Sequence, residues 1–384
     1  MTEQALNWRA LAATKDTARY GPQRIVCLTE EPTEWLYMLG EERRIVGISG
    51  YTVRPPRARE GKPKVSAFLS AKIDKIVELR PDCVIGFSDL QADIASQLVK
   101  KGIQVTIFNQ RSVAEIFSMM YQLAAMVGQT ARGLTLIHTM QSRLLAIEQA
   151  AATLQRRPRV FFEEWYDPHI SAIAWVSELI GIAGGDDCFP ELAKEPMGKG
   201  RIIADGAEIV RRNPDIILGS WCGRRFRPAH VRARPGWQEV NAVKNDQLFE
   251  IKSAEILQPG PAALTDGVEQ LHRIIMAWDI APTLVASRTA LPPGGAIPPK
   301  GGLSAGATPT LVASHTAPPP GGAVLPKSGL SAGATPTLVA PPNTLDVPAP
   351  EALALRAVQT RAGGSGASAL SPAGAVPPEG GLSA

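Results

Sequence analysis

The sequence predicts an α/β protein of two Rossmann-like lobes with central parallel sheets, joined by one long backbone helix and followed by a disordered C-terminal tail. Three observations carry this. Short apolar strands alternate with helical patterns of roughly 10–15 residues, which implies βαβ units and parallel sheets. One phrase, an amphipathic run, then Pro-Asp, then a buried strand, is written twice: "IVELRPDCVIGFSD" at 76–89 and "IVRRNPDIILGSWCG" at 209–223. Between the two copies, Leu134, Ile137, Met140, Leu144, Ile147, Ala151 and Leu154 recur at spacings of three and four, which makes 130–156 one helix.

In order, "RIVCLTEEP" (24–32) is a strand running into a polar loop, "TEWLYMLG" a helix closed by Gly40, and "RIVGISGY" a strand ending near Gly50 and Tyr51. "AKIDKIVELRP" is a helix, "DCVIGF" a strand, "QADIASQLVKKG" a helix capped by Gly102, and "IQVTIFN" a strand. Ser112 and Glu115 have capping-box spacing ahead of "VAEIFSMMYQLAAMVG". Past Pro158 come strand "RVFFEEW", helix "AWVSELIGIAGG" with a Gly-Gly cap at 184–185, helix "DGAEIVRRNP" and strand "DIILGSW". A helix near "PGWQEV", strand "QLFEIK" and helix "ALTDGVEQLHRIIMAW" complete the folded part. In both Pro-Asp phrases the proline stops a helix and the aspartate begins the turn into a strand. Loops after such strands line the crevice where open α/β sheets bind ligands.

From Pro282 the chain is rich in Pro, Gly, Ala, Ser and Thr and repeats itself, with "PTLVA" at Pro282, Pro309 and Pro336. Such a segment buries too little apolar area to offset a chain entropy of roughly 1–2 kcal/mol per residue, so it reads as disordered. The organisation is therefore an N-terminal extension 1–23, a first lobe 24–129, a connecting helix 130–157, a second lobe 158–280 and a tail 281–384.

The chain has 384 residues, 45% hydrophobic and 5% aromatic, with a net charge of +4. That balance is too weak to argue for nucleic acid. Cys27, Cys83, Cys188 and Cys222 stand far apart, which argues against disulfides and a structural zinc. The first residues hold no apolar stretch of signal-peptide length, and no window approaches 18 uninterrupted apolar residues. As written, the chain reads as staying in the cytoplasm. The lobes carry no dinucleotide fingerprint, no P-loop and no zinc-spaced histidines, which weakens every enzyme reading.

"EEWYDPH" (163–169) and "SWCGRRFRP" (220–228) stand out. Trp165, Tyr166 and Trp221 offer flat apolar faces that suit a large conjugated ring, or simply pack the lobe. His169 could reach a metal centre, but a hydrogen-bonding role is the preferred reading, and no metal site is assigned. Cys222 stands beside two arginines that would favour its thiolate. Arg224, Arg225, Arg227, Arg232 and Arg234 make either a ligand-facing positive face or a solvated one. Glu163, Glu164 and Asp167 are acidic neighbours, and acid–base work would require their burial. "LQPGPAALTDG" (257–267) is a tight loop whose backbone is free to approach a ligand.

Together, "RIVCLTEEPTEWLYMLG", "RIVGISGYTVRPP", "KVSAFLSAKIDKIVELRPDCVIGF", "GIQVTIFN", "WVSELIGIAGGDDCF" and "IVRRNPDIIL" resemble the substrate-binding proteins of ABC importers for cobalamin and iron–siderophores, the cobalamin binders most of all. The resemblance covers about 24–280. It implies a non-enzymatic, monomeric importer component in the periplasm. Such a protein closes two lobes on a cobalamin-like corrinoid, carried as ligand and not as cofactor, with an ABC permease as possible partner. Carried over by position, the cleft residues are Thr29, Glu30, Tyr51, Phe68, Phe87 and Ser88 from the first lobe. Trp165, Tyr166, Trp221, Cys222, Gln258 and Pro259 come from the second. Phe68 stands where the cobalamin binders have a tryptophan. The resemblance also implies one acidic docking residue per lobe, seven positions before each Pro-Asp proline. Asp74 matches the first; the second is Ala207, with Glu208 beside it. Two alternatives stay open: an iron–siderophore or haem binder, and an intracellular metallochaperone or enzyme using Cys222 or His169.

Overall fold

The computed structural model describes residues 17–289; the expectations for 1–16 and 290–384, most of the repeat tail included, lie outside the described residues. In the first lobe, β1 (Ile25–Cys27), α1 (Glu30–Leu39), β2 (Ile45–Ser49), α2 (Pro56–Gly61), β3 (Lys64–Ser66), α3 (Ile73–Glu78), β4 (Cys83–Phe87), α4 (Ala92–Val99) and β5 (Gln104–Phe108) build one parallel sheet of order β3-β2-β1-β4-β5. α5 (Val113–Met126) and the long α6 (Thr130–Ala151) lead to the second lobe.

That lobe holds β6 (Arg159–Glu163), a two-stranded antiparallel hairpin β7 (Trp165–Tyr166) and β8 (His169–Ile170), then α7 (Ala174–Ala183) and β9 (Asp186–Asp187). It continues with α8 (Gly206–Arg212), β10 (Ile216–Gly219), α9 (Pro228–Arg232), α10 (Asn241–Lys244), β11 (Leu248–Glu250), α11 (Ser253–Ile256) and α12 (Val268–Thr289). Its parallel sheet has the order β11-β10-β6-β9.

The repeated Pro-Asp phrase has the same physical role in both lobes. Asp82, just before β4, accepts the backbone N–H groups of Gln23 and Arg24 at 2.7 and 2.9 Å. Asp215, just before β10, accepts the backbone N–H of Arg159 at 3.0 Å. Each aspartate thus pins the start of the neighbouring central strand, β1 or β6, and fixes its alignment with the following strand. Gly219, the last residue of β10, is glycine for a packing reason: a Cβ there would stand 1.9 Å from the ring of Phe226.

Local signals act as read. Ser112 accepts from the Glu115 N–H while Glu115 reaches back, a complete capping box. Gly40, Gly102 and Gly184 take the left-handed conformation after their helices. Four expectations need correction. α6 ends at Ala151, short of 156, because a turn at Thr153 and Leu154 closes it ahead of Pro158; its 22 residues span about 33 Å. "PGWQEV" forms only a single 3₁₀ turn, Trp237–Glu239. The last helix opens with a π turn at Ala263–Gly267. It also runs on to Thr289, past Trp278, where the helix expected from the sequence ends.

One apolar core runs through both lobes. Ile25, Ile85 and Phe87 of the first sheet share a cluster with Val160, Phe162 and Ile216 of the second, bridged by Met120, Ile137, Trp175 and Leu271. Cys27, Cys83 and Cys188 are buried, and burial pushes their thiols up to about 12, 11 and 12.

Candidate functional site

The carboxyl ends of the two sheets face each other across a cavity of about 220 Å³. β1 delivers the chain to Glu30, β2 to Tyr51 and Val53, and β4 ends on Phe87. From the second lobe, β6 delivers Glu164 and Trp165, β10 delivers Cys222, and the loop after α11 delivers Leu257, Gln258 and Pro259. Eight of the twelve sequence candidates line this cavity: Glu30, Tyr51, Phe68, Phe87, Trp165, Cys222, Gln258 and Pro259.

The other four lie behind its walls. The Thr29 hydroxyl donates to Glu31 Oε1 at 2.8 Å. Ser88 is fully buried with φ +66° and accepts the Leu90 N–H, so its hydroxyl serves the turn. Tyr166 packs at a tilt between Trp165 and Trp221 at centroid distances of 5.1 and 4.6 Å, and Trp221 meets Phe226 edge-on at 5.1 Å. Trp165 therefore presents one face of an aromatic ladder to the cavity while Tyr166 and Trp221 support it.

The sequence reading missed Trp175, Val53, Ile173, Glu164 and Ser253 among the lining residues. Trp175 sits in the first turn of α7 and meets Phe87 edge-on at 6.5 Å across the cleft. Its indole N–H donates to the Ile256 carbonyl at 3.0 Å. The helical signal of "AWVSEL" had absorbed it.

The cavity is largely apolar and aromatic. Among the described residues that line it, none is lysine, arginine or histidine. It carries two carboxyl groups. Glu164 is bonded by the fully buried Arg201 at 2.5 and 3.1 Å, and Arg201 also donates to the Ser171 carbonyl. Glu30, in the first turn of α1, is pushed up to about 8, first by burial and then by neighbouring Glu31. Burial pushes Glu31 up to about 7.

The arginine cluster does not form one positive face, which corrects that alternative. Arg234 makes a two-pronged pair with fully buried Glu163, at 2.7 and 3.0 Å. The same carboxylate accepts the Trp221 indole N–H at 3.1 Å and contacts His169 Nδ1 at 2.9 Å. His169 is thus held by Glu163 beside Trp237 and is not among the cavity-lining residues. Arg224 donates to the Tyr166 hydroxyl at 2.5 Å, Arg232 pairs with Asp246, and Arg225 and Arg227 are exposed. Among the described residues no cluster of three metal-ligating side chains occurs. Asp74 is exposed on α3; Glu208 on α8 is bound by Arg211 and Arg212.

The lobes are also tied directly. Gln110 donates to the Pro259 carbonyl at 3.0 Å, Arg54 bridges Glu34 and Asp266 at 2.8 and 2.7 Å, and the Val113 N–H meets Glu178 at 2.8 Å.

Residues 25–255, more than half of the chain, match the periplasmic binding protein family. The chain belongs to that family. This periplasmic binding protein is 26% identical over 271 residues to an uncharacterised ABC transporter substrate-binding lipoprotein of Bacillus subtilis, covering 67% of this chain and 82% of the relative. It is 26% identical over 255 residues to the vitamin B12-binding protein of Vibrio cholerae, covering 65% and 87%. The crystal structure of the periplasmic vitamin B12 binding protein of Vibrio cholerae shares its fold, with TM-score 0.55, 23% identity and coverage of 67% and 98%. So does the periplasmic heme-binding protein of Roseiflexus sp. RS-1, with TM-score 0.57, 20% identity and coverage of 66% and 100%. The protein is a substrate-binding component of ABC-importer type, which captures a small molecule and is not an enzyme. No described helix is long and apolar enough to cross a membrane.

Proposed function

We propose that the protein binds a cobalamin-like corrinoid between its lobes, as the captured ligand and not as a cofactor, and delivers it as a monomer to an ABC permease. The supporting observation is the aromatic cavity, lined by Tyr51, Phe68, Phe87, Trp165 and Trp175 without a basic side chain among its described lining residues. Flat aromatic faces suit a large conjugated ring. A corrin edge carries neutral amides, which the lining meets with Gln258, Ser253 and Glu30. Haem carries carboxylates, which call for a guanidinium or an ammonium at the wall.

The cavity of about 220 Å³ is below the roughly 300–1,000 Å³ common for small-molecule pockets. A corrinoid therefore enters with its edge inside and the lobes parted. Because one core spans both lobes, that opening is small. Delivery uses Asp74 on α3 and Glu208 on α8 as docking residues; the two helices hold equivalent places ahead of β4 and β10. The relatives' character supports work outside the cytoplasmic membrane.

A haem or iron–siderophore ligand is the second reading. Two guanidinium groups favour it: Arg111 lies 4.8 Å over the Phe87 ring and Arg224 lies 5.8 Å over Trp165, close behind the aromatic wall. Calorimetric titration of the full chain with cyanocobalamin, haemin and a ferric hydroxamate separates the two. One-to-one binding of cyanocobalamin at least tenfold tighter than the others supports the corrinoid; the reverse order replaces it.

A further inference from the structure

Glu30 is only 9% exposed, lines the cavity, and its carboxyl meets its own backbone N–H but no cationic side chain among the described residues. A buried carboxyl without a counter-charge is costly to ionise, so it stays protonated until a ligand completes it. The charged and titratable groups around it offer no cation. On α1, Glu31 is itself buried and Glu34 is held by Arg54, which also reaches Asp266. From the other walls come Tyr51 and Cys222, and Glu164 is committed to Arg201.

We propose that Glu30 meets the ligand as a neutral carboxylic acid, donating a hydrogen bond to an uncharged oxygen acceptor such as an amide carbonyl. This rests on the corrinoid assignment, since corrin amides present such oxygens at the ring edge. The acid is not a bystander in this arrangement: it is the cavity's selector for neutral acceptors, reading the ligand through a proton that an ionised carboxylate would lack. The position at which burial holds Glu30, about 8, keeps that proton in place at neutral pH.

The sign follows from linkage. A ligand that accepts from the protonated form, and shields it further from water, binds best below about pH 8 and loses affinity above it. The test is calorimetric titration of the full chain with cyanocobalamin between pH 6 and pH 9.5. The wild type is expected to weaken about tenfold between pH 7 and pH 9. Glu30→Gln keeps a donor and cannot ionise, so it binds with a flat pH profile. Glu30→Ala loses the donor and binds about tenfold more weakly at pH 7. Thermal melts of both variants show that each is folded.

A wild type that binds cyanocobalamin with a flat or rising pH profile overturns the proposal and leaves the corrinoid assignment standing. So does a slope that persists in Glu30→Gln. Absence of cyanocobalamin binding at every pH overturns the corrinoid assignment, and the proposal with it.

Discussion

Asp215 and Arg159 lock the entry of the second lobe's central strand: the carboxylate accepts the Arg159 backbone N–H at 3.0 Å and its Nε at 3.1 Å. Arg159 Nη2 at 3.3 Å and the Asn241 amide at 2.9 Å add further donors. In the first lobe, Asp82 holds the backbone of Gln23 and Arg24 in the same way. Half of the Arg159 side chain is in water, so screening discounts the charge term. Asp215→Ala is expected to cost about 1–2 kcal/mol, read by urea unfolding, and Asp82→Ala a similar amount.

Partial burial raises the Asp215 acid, but the bonds from Arg159 and Asn241 outweigh it and hold the carboxyl below its ordinary 3.8. Its contribution is therefore present above about pH 4 and lost as the pH falls through the folded value. The wild type should lose more stability than Asp215→Ala between pH 5 and pH 2.5.

Removing one partner of a buried pair leaves the other charge stranded. Arg234→Met strands Glu163, which is fully buried under the aromatic ladder. A loss of about 3–5 kcal/mol is expected. Loosening of Trp221 should accompany it, read by near-ultraviolet circular dichroism.

Gln110 donates across the cleft to Pro259, a cavity-lining residue, at 3.0 Å. Gln110→Ala should cost about 1 kcal/mol and weaken ligand binding several-fold, because the Pro259 loop loses its tie to the first lobe. Unchanged affinity with unchanged melting would show that the tie positions nothing.

Glu31 is buried with Oε2 unpartnered, and burial raises its carboxyl to about 7. A raised folded value means that stability is fully present below the unfolded value and is lost as pH rises through about 7. Glu31→Gln should then be more stable than the wild type at pH 9, by up to an order of 3 kcal/mol, and no more stable at pH 4.

Much of the fold was legible because its signals are local. Alternating strands and helices, the Ser112 capping box and the glycine caps depend on near neighbours in sequence. The Pro-Asp phrase was legible as a repeat, but the bond it makes to β1 and β6 spans dozens of residues and shows only in three dimensions. Short elements such as β3, β9, the β7–β8 hairpin and α9 escaped because two to five residues carry no period.

The cavity was half legible. Residues at strand ends, such as Phe87 and Trp165, follow from topology. Whether a loop side chain faces the cleft does not, which is why Ser88 and Trp221 fell behind the wall, and Trp175 was overlooked because its helical pattern read as core. The arginine run looked like one surface, yet Arg234 turns inward to Glu163, a partner 71 positions away.

The most direct measurement is amide hydrogen exchange of the full chain with and without saturating cyanocobalamin. Slowed exchange concentrated around 30, 51–53, 68, 87, 164–175, 222–223 and 253–259, the segments that line the cavity, is the predicted result. Exchange unchanged in those segments, or slowed only elsewhere, would contradict corrinoid capture between the lobes.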